Sequence, residues 1–197
     1  VAEGAFGQRT QRGQRFAAVL DDPGGQLRLV GVALGGGSPM DATKGAAARV
    51  ACPKKSCNDM AGVMRVGKTV PPIVAIPTTS GTGSETTIAA VITDSETHHK
   101  YALMDLKLMP LYAILDPELT VGLPPRTTAT TGMDALTHAI EAYTSIQKNP
   151  VSDAFAAKAV ELIAANLPTA CRNGADTEPT AESEPDVDTN TAPEGTA

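Results

Sequence analysis

An α/β domain joined to the first helices of a second, helical domain is the architecture that this 197-residue sequence predicts. Three observations carry it. Two short apolar runs, Leu29–Leu34 and Ile73–Ile76, each end directly in a glycine-rich polar loop. Beyond Pro124-Pro125 the apolar spacing changes from short runs to helical periodicity. Strand-like runs followed by helices alone are the pattern of an α/β unit leading into a helical one.

Taken in chain order, residues 1–27 have little periodicity and read as a poorly ordered arm, with a short helix near Phe16–Leu20 and a turn at Asp22–Gly25. Leu29–Leu34 is short enough for a buried strand and runs into Gly35-Gly36-Gly37-Ser38-Pro39. The alanine-rich stretch Met40–Val50 predicts a helix with Lys44 on its exposed side. Residues 51–70 read as loop with a short helical turn. Ile73–Ile76 is a second strand, followed by Pro77-Thr78-Thr79-Ser80-Gly81-Thr82-Gly83-Ser84-Glu85. Ala89–Thr93 and Tyr101–Met104 read as neighbouring strands about a turn at Asp94–His98, and Leu111–Leu115 as a further strand. In the next helix, Met133, Leu136, Ile140 and Tyr143 form an apolar stripe, while Asp134, His138, Glu141 and Ser145 occupy another face. A second helix starts at Pro150 and ends near Pro168, with Phe155, Ala159, Leu162, Ile163 and Leu167 expected inside.

The charge is unevenly placed. Residues 173–197 hold seven acidic groups and no Lys or Arg, so the low pI of about 5.0 belongs to this tail. Setting those seven aside, the remaining acidic residues nearly balance the 16 basic ones, which argues against a nucleic-acid surface. The tail lacks the apolar residues needed to offset ordering entropy and is expected to be disordered. The segments then divide as arm 1–27, nucleotide-binding part 28–126, helical part 127–172 and acidic tail 173–197. Three cysteines, at 52, 57 and 171, form neither a disulfide framework nor a zinc set, and free thiols suit a reducing, cytoplasmic setting. No apolar run is long enough to span a membrane. The first residue is Val, which fits a processed or partial chain.

The chemistry lies in the loops and in one helix. Glycines leave backbone N–H groups open to close approach, and a following helix adds positive potential for phosphate. Gly35–Ser38 meets that description without matching a Walker A loop or a complete G-x-G-x-x-G fingerprint, and a purely structural strand–helix turn fits it too. Thr78, Thr79, Thr82 and Ser84 supply hydroxyls around Gly81 and Gly83, for phosphate, for ribose or for capping the next segment. Asp134 and His138, four apart, put an oxygen and a nitrogen donor on one helix face, able to share a divalent cation; a solvated face is the alternative. His98, His99 and Lys100 read as a polar surface turn.

Together, Gly-Gly-Gly-Ser-Pro-Met-Asp-Ala-Thr-Lys at 35–44, Pro-Thr-Thr-Ser-Gly-Thr-Gly-Ser-Glu-Thr at 77–86, Leu-Asp-Pro-Glu-Leu at 115–119 and Gly-Met-Asp-Ala-Leu-Thr-His-Ala-Ile-Glu-Ala-Tyr at 132–143 resemble the iron-containing (group III) alcohol dehydrogenase family. The resemblance covers about residues 29–168. It implies a partial Rossmann-like domain followed by the first helices of the metal-binding domain of the dehydroquinate synthase-like fold. It implies that Gly36, Gly37, Ser38 and Asp41 lie near a cofactor pyrophosphate, that Thr78, Thr79 and Thr82 form a second cofactor loop, and that Lys100 approaches the nicotinamide ribose. Asp134 and His138 match the first two metal ligands. The implied activity is hydride transfer between a small alcohol, or its aldehyde or ketone, and NAD or NADP, with Fe(2+), Zn(2+) or another divalent ion, in a homo-oligomer. Family members are about twice this length and take two further histidine ligands from a longer helical domain, whereas this sequence has no His after His138. The sequence therefore reads as a partial member whose own turnover is in question, with a non-catalytic nucleotide-binding or assembly protein as the alternative.

Overall fold

The computed structural model describes residues 18–21, 27–94 and 98–174. The expected arm, the Asp22–Gly25 turn and nearly all of the acidic tail lie outside them, as do residues 95–97 of the turn before Lys100. Seven strands and three α-helices are described: β1 (Ala18–Asp21), β2 (Leu27–Gly35), α1 (Gly37–Ala51), β3 (Gly62–Val63), β4 (Ile73–Pro77), β5 (Ala89–Thr93), β6 (Lys100–Met104), β7 (Tyr112–Ala113), α2 (Pro125–Thr144) and α3 (Pro150–Arg172). Short 3-10 turns punctuate the connections. This is a mixed, Rossmann-like α/β unit followed by the first two helices of a helical region.

The strands form two sheets. The first has the order β1-β2-β4-β7; the second has the order β3-β6-β5. In the first sheet β2, β4 and β7 run parallel, and β1 pairs antiparallel with β2. Gly35 at the end of β2 sits opposite Pro77 at the end of β4. Two parallel strands that stop at the same level release their following loops side by side, which is where open α/β sheets gather ligands. Burial alternates along β4, with Ile73, Ala75 and Pro77 inside. The main core, between α1 and the second sheet, includes Ala47, Ala48, Met60, Val66, Ile73, Ala90, Leu103 and Leu108. The small alanine face of α1 lets these larger side chains reach across it.

The region read as a helix near Phe16–Leu20 is strand from Ala18 onward, paired with Leu27–Val30 of β2. A short apolar run carries no period long enough to separate helix from strand, and the free edge of β2 decides the matter. Helix α1 begins at Gly37 rather than Met40, since Ser38 and Pro39 fit a first turn whose amides need no intrahelical partner. Residues 51–70 contain the expected turn, Asn58–Met60, and also β3. The Leu111–Leu115 strand narrows to Tyr112–Ala113, and residues 111–115 are all exposed.

Three burial expectations are overturned. Lys44, expected outside, is fully buried. On α2, Met133, Ile140 and Tyr143 are exposed, and the buried positions are Gly132 and Ala139. On α3, Phe155 is 75% exposed and Leu162 is also outside, while Ala156 is buried. The α2–α3 seam is lined by small residues that permit close approach, so the large side chains fall on the flanks. Helix α3 also runs past Pro168 to Arg172, where the Asn173 N–H closes it on the Thr169 carbonyl. No helix among the described residues is long and apolar enough to cross a membrane.

Candidate functional site

The two loops meet in one open cleft of about 510 Å³, lined by Leu34, the Gly35–Pro39 loop, Thr78, Thr79, Thr82 and Thr131. The fit between them is close. A Cβ at Gly36 would lie 3.1 Å from Thr79 Oγ1, and one at Gly37 would lie 3.1 Å from Thr82 Cγ2. Any side chain at these glycines would fill the space between the loops. Thr78 N–H donates to the Gly35 carbonyl at 3.0 Å, extending the β2–β4 ladder into the cleft floor.

Two polar features are left unsatisfied here. Gly36, the residue before α1, makes no side-chain capping bond, so the first amides of this 15-residue helix have no such partner. Thr79 Oγ1 is buried and has no hydrogen-bond partner among the described residues. A buried hydroxyl without a partner costs about 1–3 kcal/mol, and helix N-terminal amides attract anions. A threonine hydroxyl and helix N-terminal amides are both donors, the kind of group from which phosphate oxygens accept.

Thr131 brings α2 into the site. The backbone of Gly81 is packed against it so closely that a Cβ there would fall 2.2 Å from the Thr131 carbonyl oxygen. Thr131, Asp134 and His138 follow an i, i+3, i+7 pattern and share a helix face. His138 lies about 10 Å along the axis from Thr131 at 1.5 Å per residue. Asp134 Oδ1 and His138 Nε2 are 3.9 Å apart on an accessible surface, with side chains 50% and 57% exposed. Among the described residues, no group of three His, Cys, Asp or Glu side chains forms a metal cluster.

Of the residues singled out in the sequence, Gly36, Gly37, Ser38, Thr78, Thr79 and Thr82 are therefore together, and Asp134 and His138 are together on the helix that borders them. Asp41 does not line the cleft. Its Oδ1 accepts from the Ser84 hydroxyl at 2.7 Å and its Oδ2 from Val91 N–H at 3.0 Å. Lys100 opens β6 opposite Thr93, exposed, and does not line the cleft either. Sequence reasoning placed Gly81 in the threonine loop without its contact to α2 and passed over Thr131, although the i, i+7 relation of Thr131 to His138 is legible in the sequence. It also passed over the interior role of Lys44, for which the sequence carries no signal.

An open cleft at the ends of parallel strands, bordered by a helix with an Asp and a His one turn apart, is the layout of an α/β ligand-binding unit joined to a helical one. Residues 28–117 match the iron-containing alcohol dehydrogenase model, and residues 128–183 match the C-terminal model of the same family. The chain belongs to the iron-containing alcohol dehydrogenase family. It is 52% identical over 147 residues to the NAD-dependent methanol dehydrogenase of Bacillus methanolicus, covering 75% of this chain and 38% of that protein. It is 47% identical to alcohol dehydrogenase 4 of Schizosaccharomyces pombe, covering 75% of this chain and 35% of that one. Among solved structures, a 1,3-propanediol oxidoreductase superposes with a TM-score of 0.72 at 44% identity, covering 75% of this chain and 38% of that one. The chain thus spans little more than a third of the length of these relatives.

Proposed function

We propose that this chain forms the dinucleotide cleft and the first metal-binding helix of a metal-dependent alcohol dehydrogenase, which passes hydride between a small alcohol and NAD or NADP. The observation that carries the reading is the orphaned Thr79 hydroxyl facing the uncapped start of α1 across a gap that only glycine leaves open. The names of the relatives, methanol dehydrogenase and 1,3-propanediol oxidoreductase among them, support the substrate class.

In this reading the amides of Gly36, Gly37 and Ser38 donate to the pyrophosphate, and Thr78, Thr79 and Thr82 supply hydroxyls from the other wall. Asp41 serves the cleft through the Ser84 hydroxyl that it holds. Lys100 is assigned to the ribose at the nicotinamide end. Asp134 and His138 provide one oxygen and one nitrogen donor to a divalent cation, iron or zinc, completed by donors beyond this pair. When bound, such a cation supplies Lewis acidity toward the substrate oxygen. The chain's own contribution is positional: anchoring the dinucleotide and holding the metal helix beside it converts an encounter of two molecules into a reaction within one assembly.

Titrating the chain with NADH and NADPH in the presence of a chelator tests the cleft, and adding Fe(2+) or Zn(2+) with small alcohols tests turnover by formation of reduced nicotinamide. Saturable dinucleotide binding is expected; its absence with both cofactors would reject the proposal. A second reading, a non-catalytic nucleotide-binding or assembly protein of the same family, is favoured by the absence of a three-residue metal cluster among the described residues. Binding without any metal-dependent turnover would select it.

A further inference from the structure

We infer that Lys44, together with Asp41 one turn before it, is the positioning pair that holds the threonine loop against α1 and so sets the width of the dinucleotide cleft. The inference rests on the dinucleotide reading above and extends it to residues that line no part of the cleft.

Lys44 is fully buried, yet among the described residues its Nζ touches no carboxylate. It donates to the carbonyls of Ser84 at 2.6 Å, Thr87 at 2.9 Å and Ala89 at 2.9 Å. The hydroxyls of Thr87 and Ser84 stand at 3.0 and 3.2 Å. An ammonium carries three protons, so three carbonyls match its capacity. The segment they belong to is irregular: a 3-10 turn at Ser84–Thr86 followed by two residues before the β5–β6 ladder begins at Ala89. The chain's own donors serve these carbonyls only at long range, Thr87 N–H standing 3.4 Å from the Ser84 oxygen, and the lysine supplies shorter bonds.

Asp41 completes the fastening. Its two oxygens hold the Ser84 hydroxyl and the Val91 N–H, at the two ends of the same segment. At i and i+3 on α1, the two side chains bind everything between Ser84 and Val91 to one helix. That helix also presents Gly36–Ser38 to the cleft, and the threonine loop leads directly into Ser84. With too little room for a Cβ between Gly36 and Thr79 or between Gly37 and Thr82, a shift of residues 84–91 relative to α1 changes the cleft itself.

The fastening depends on the charge of Lys44. Burial lowers its pKa to about 8, against the opposing pull of the Asp41 and Glu85 carboxylates, the two charged groups that act on it. Above that point a neutral amine has two protons for three carbonyls, and the hold on residues 84–91 weakens.

Lys44→Met keeps the length of the side chain and removes its donors. At a temperature well below both melting transitions, loss of global stability leaves the affinity of folded molecules unchanged, so a fall in affinity reports position. Folded Lys44→Met should bind NADH about tenfold more weakly than wild type. Wild-type affinity should decline on the alkaline side of about pH 8 while that of the variant stays flat. Equal affinity of the two folded proteins would overturn the inference. If Lys44→Met does not fold, or if wild type fails to bind NADH (which would count against the dinucleotide reading), amide exchange in wild type decides. Corrected for intrinsic pH dependence, protection of residues 84–91 should fall from about pH 7 to about pH 9 while that of β4 holds. Unchanged protection would overturn it.

Discussion

Replacing Gly81 by alanine would separate the threonine loop from α2, and with it the proposed dinucleotide cleft from the helix that carries Asp134 and His138. The added Cβ would lie 2.2 Å from the Thr131 carbonyl oxygen and 2.7 Å from its carbonyl carbon. Close carbon–oxygen contacts settle at about 3.3 Å or more, so loop and helix must part by roughly 1 Å. Both colliding atoms are backbone, and no rotamer change relieves them. Overpacking of this kind costs about 1–3 kcal/mol, and each kcal/mol lowers Tm by about 2–4 °C in a protein of this size. Gly132→Ala is the control. Its Cβ would meet Leu167 Cδ1 at 2.3 Å, a contact nearly as short but with a side chain that can turn. A strained rotamer costs about 0.5–1.5 kcal/mol, which the helix-propensity gain of about 1 kcal/mol nearly offsets. Thermal melts should therefore show Gly81→Ala well below wild type and Gly132→Ala close to it. NADH titration should show the larger loss in Gly81→Ala. If the two variants melt together, or if Gly81→Ala binds NADH as wild type does, the contact between loop and helix does not control the site.

Thr79→Val should leave stability unchanged or raise it by about 1 kcal/mol, since it removes a buried hydroxyl with no partner, while weakening NAD(P)H binding about tenfold. Unaltered binding in a titration would dismiss Thr79 as a ligand. Asp105 is buried, which by itself raises its pKa, but the N–H groups of Lys107 and Gly67 and the Lys107 charge prevail and hold it below the ordinary carboxylate value. Its stabilisation is present above that ordinary value and is lost as pH falls through the lowered one. Asp105→Asn should cost about 1–2 kcal/mol in neutral urea melts, with the gap to wild type closing in acid; a pH-independent gap would contradict this. His138→Ala should weaken Zn(2+) binding about tenfold or more by calorimetry, and an unchanged isotherm would dismiss His138 as the proposed metal ligand.

The elements near the cleft were legible because each carries its own local signal. Ile73–Ile76 is an apolar run cut off by a threonine-glycine loop, and β4 stops one residue later, at Pro77. The Asp134–His138 spacing survives intact because helical geometry is local. What stayed hidden depends on partners distant in sequence. Lys44 looks like a surface residue until the carbonyls of residues 84–89, forty and more positions away, are brought over it. Apolar periodicity misled on α2 and α3, where Gly132 and Ala156 bring the helices together and Met133 and Phe155 are pushed outward. Nothing in the pattern of residues 18–20 distinguishes a strand from a helix; the exposed edge of β2 does so.

Among the described residues the first sheet finishes at Tyr112–Ala113, two residues of ladder beside β4, with the side chains of Leu111 through Leu115 exposed. Such a border offers an incoming extended peptide both a row of unspent main-chain groups and greasy flanks to hold it. Handled alone at high concentration, the molecule has a built-in route to sticking, and a lysine at Ile114 is the simplest way to blunt it.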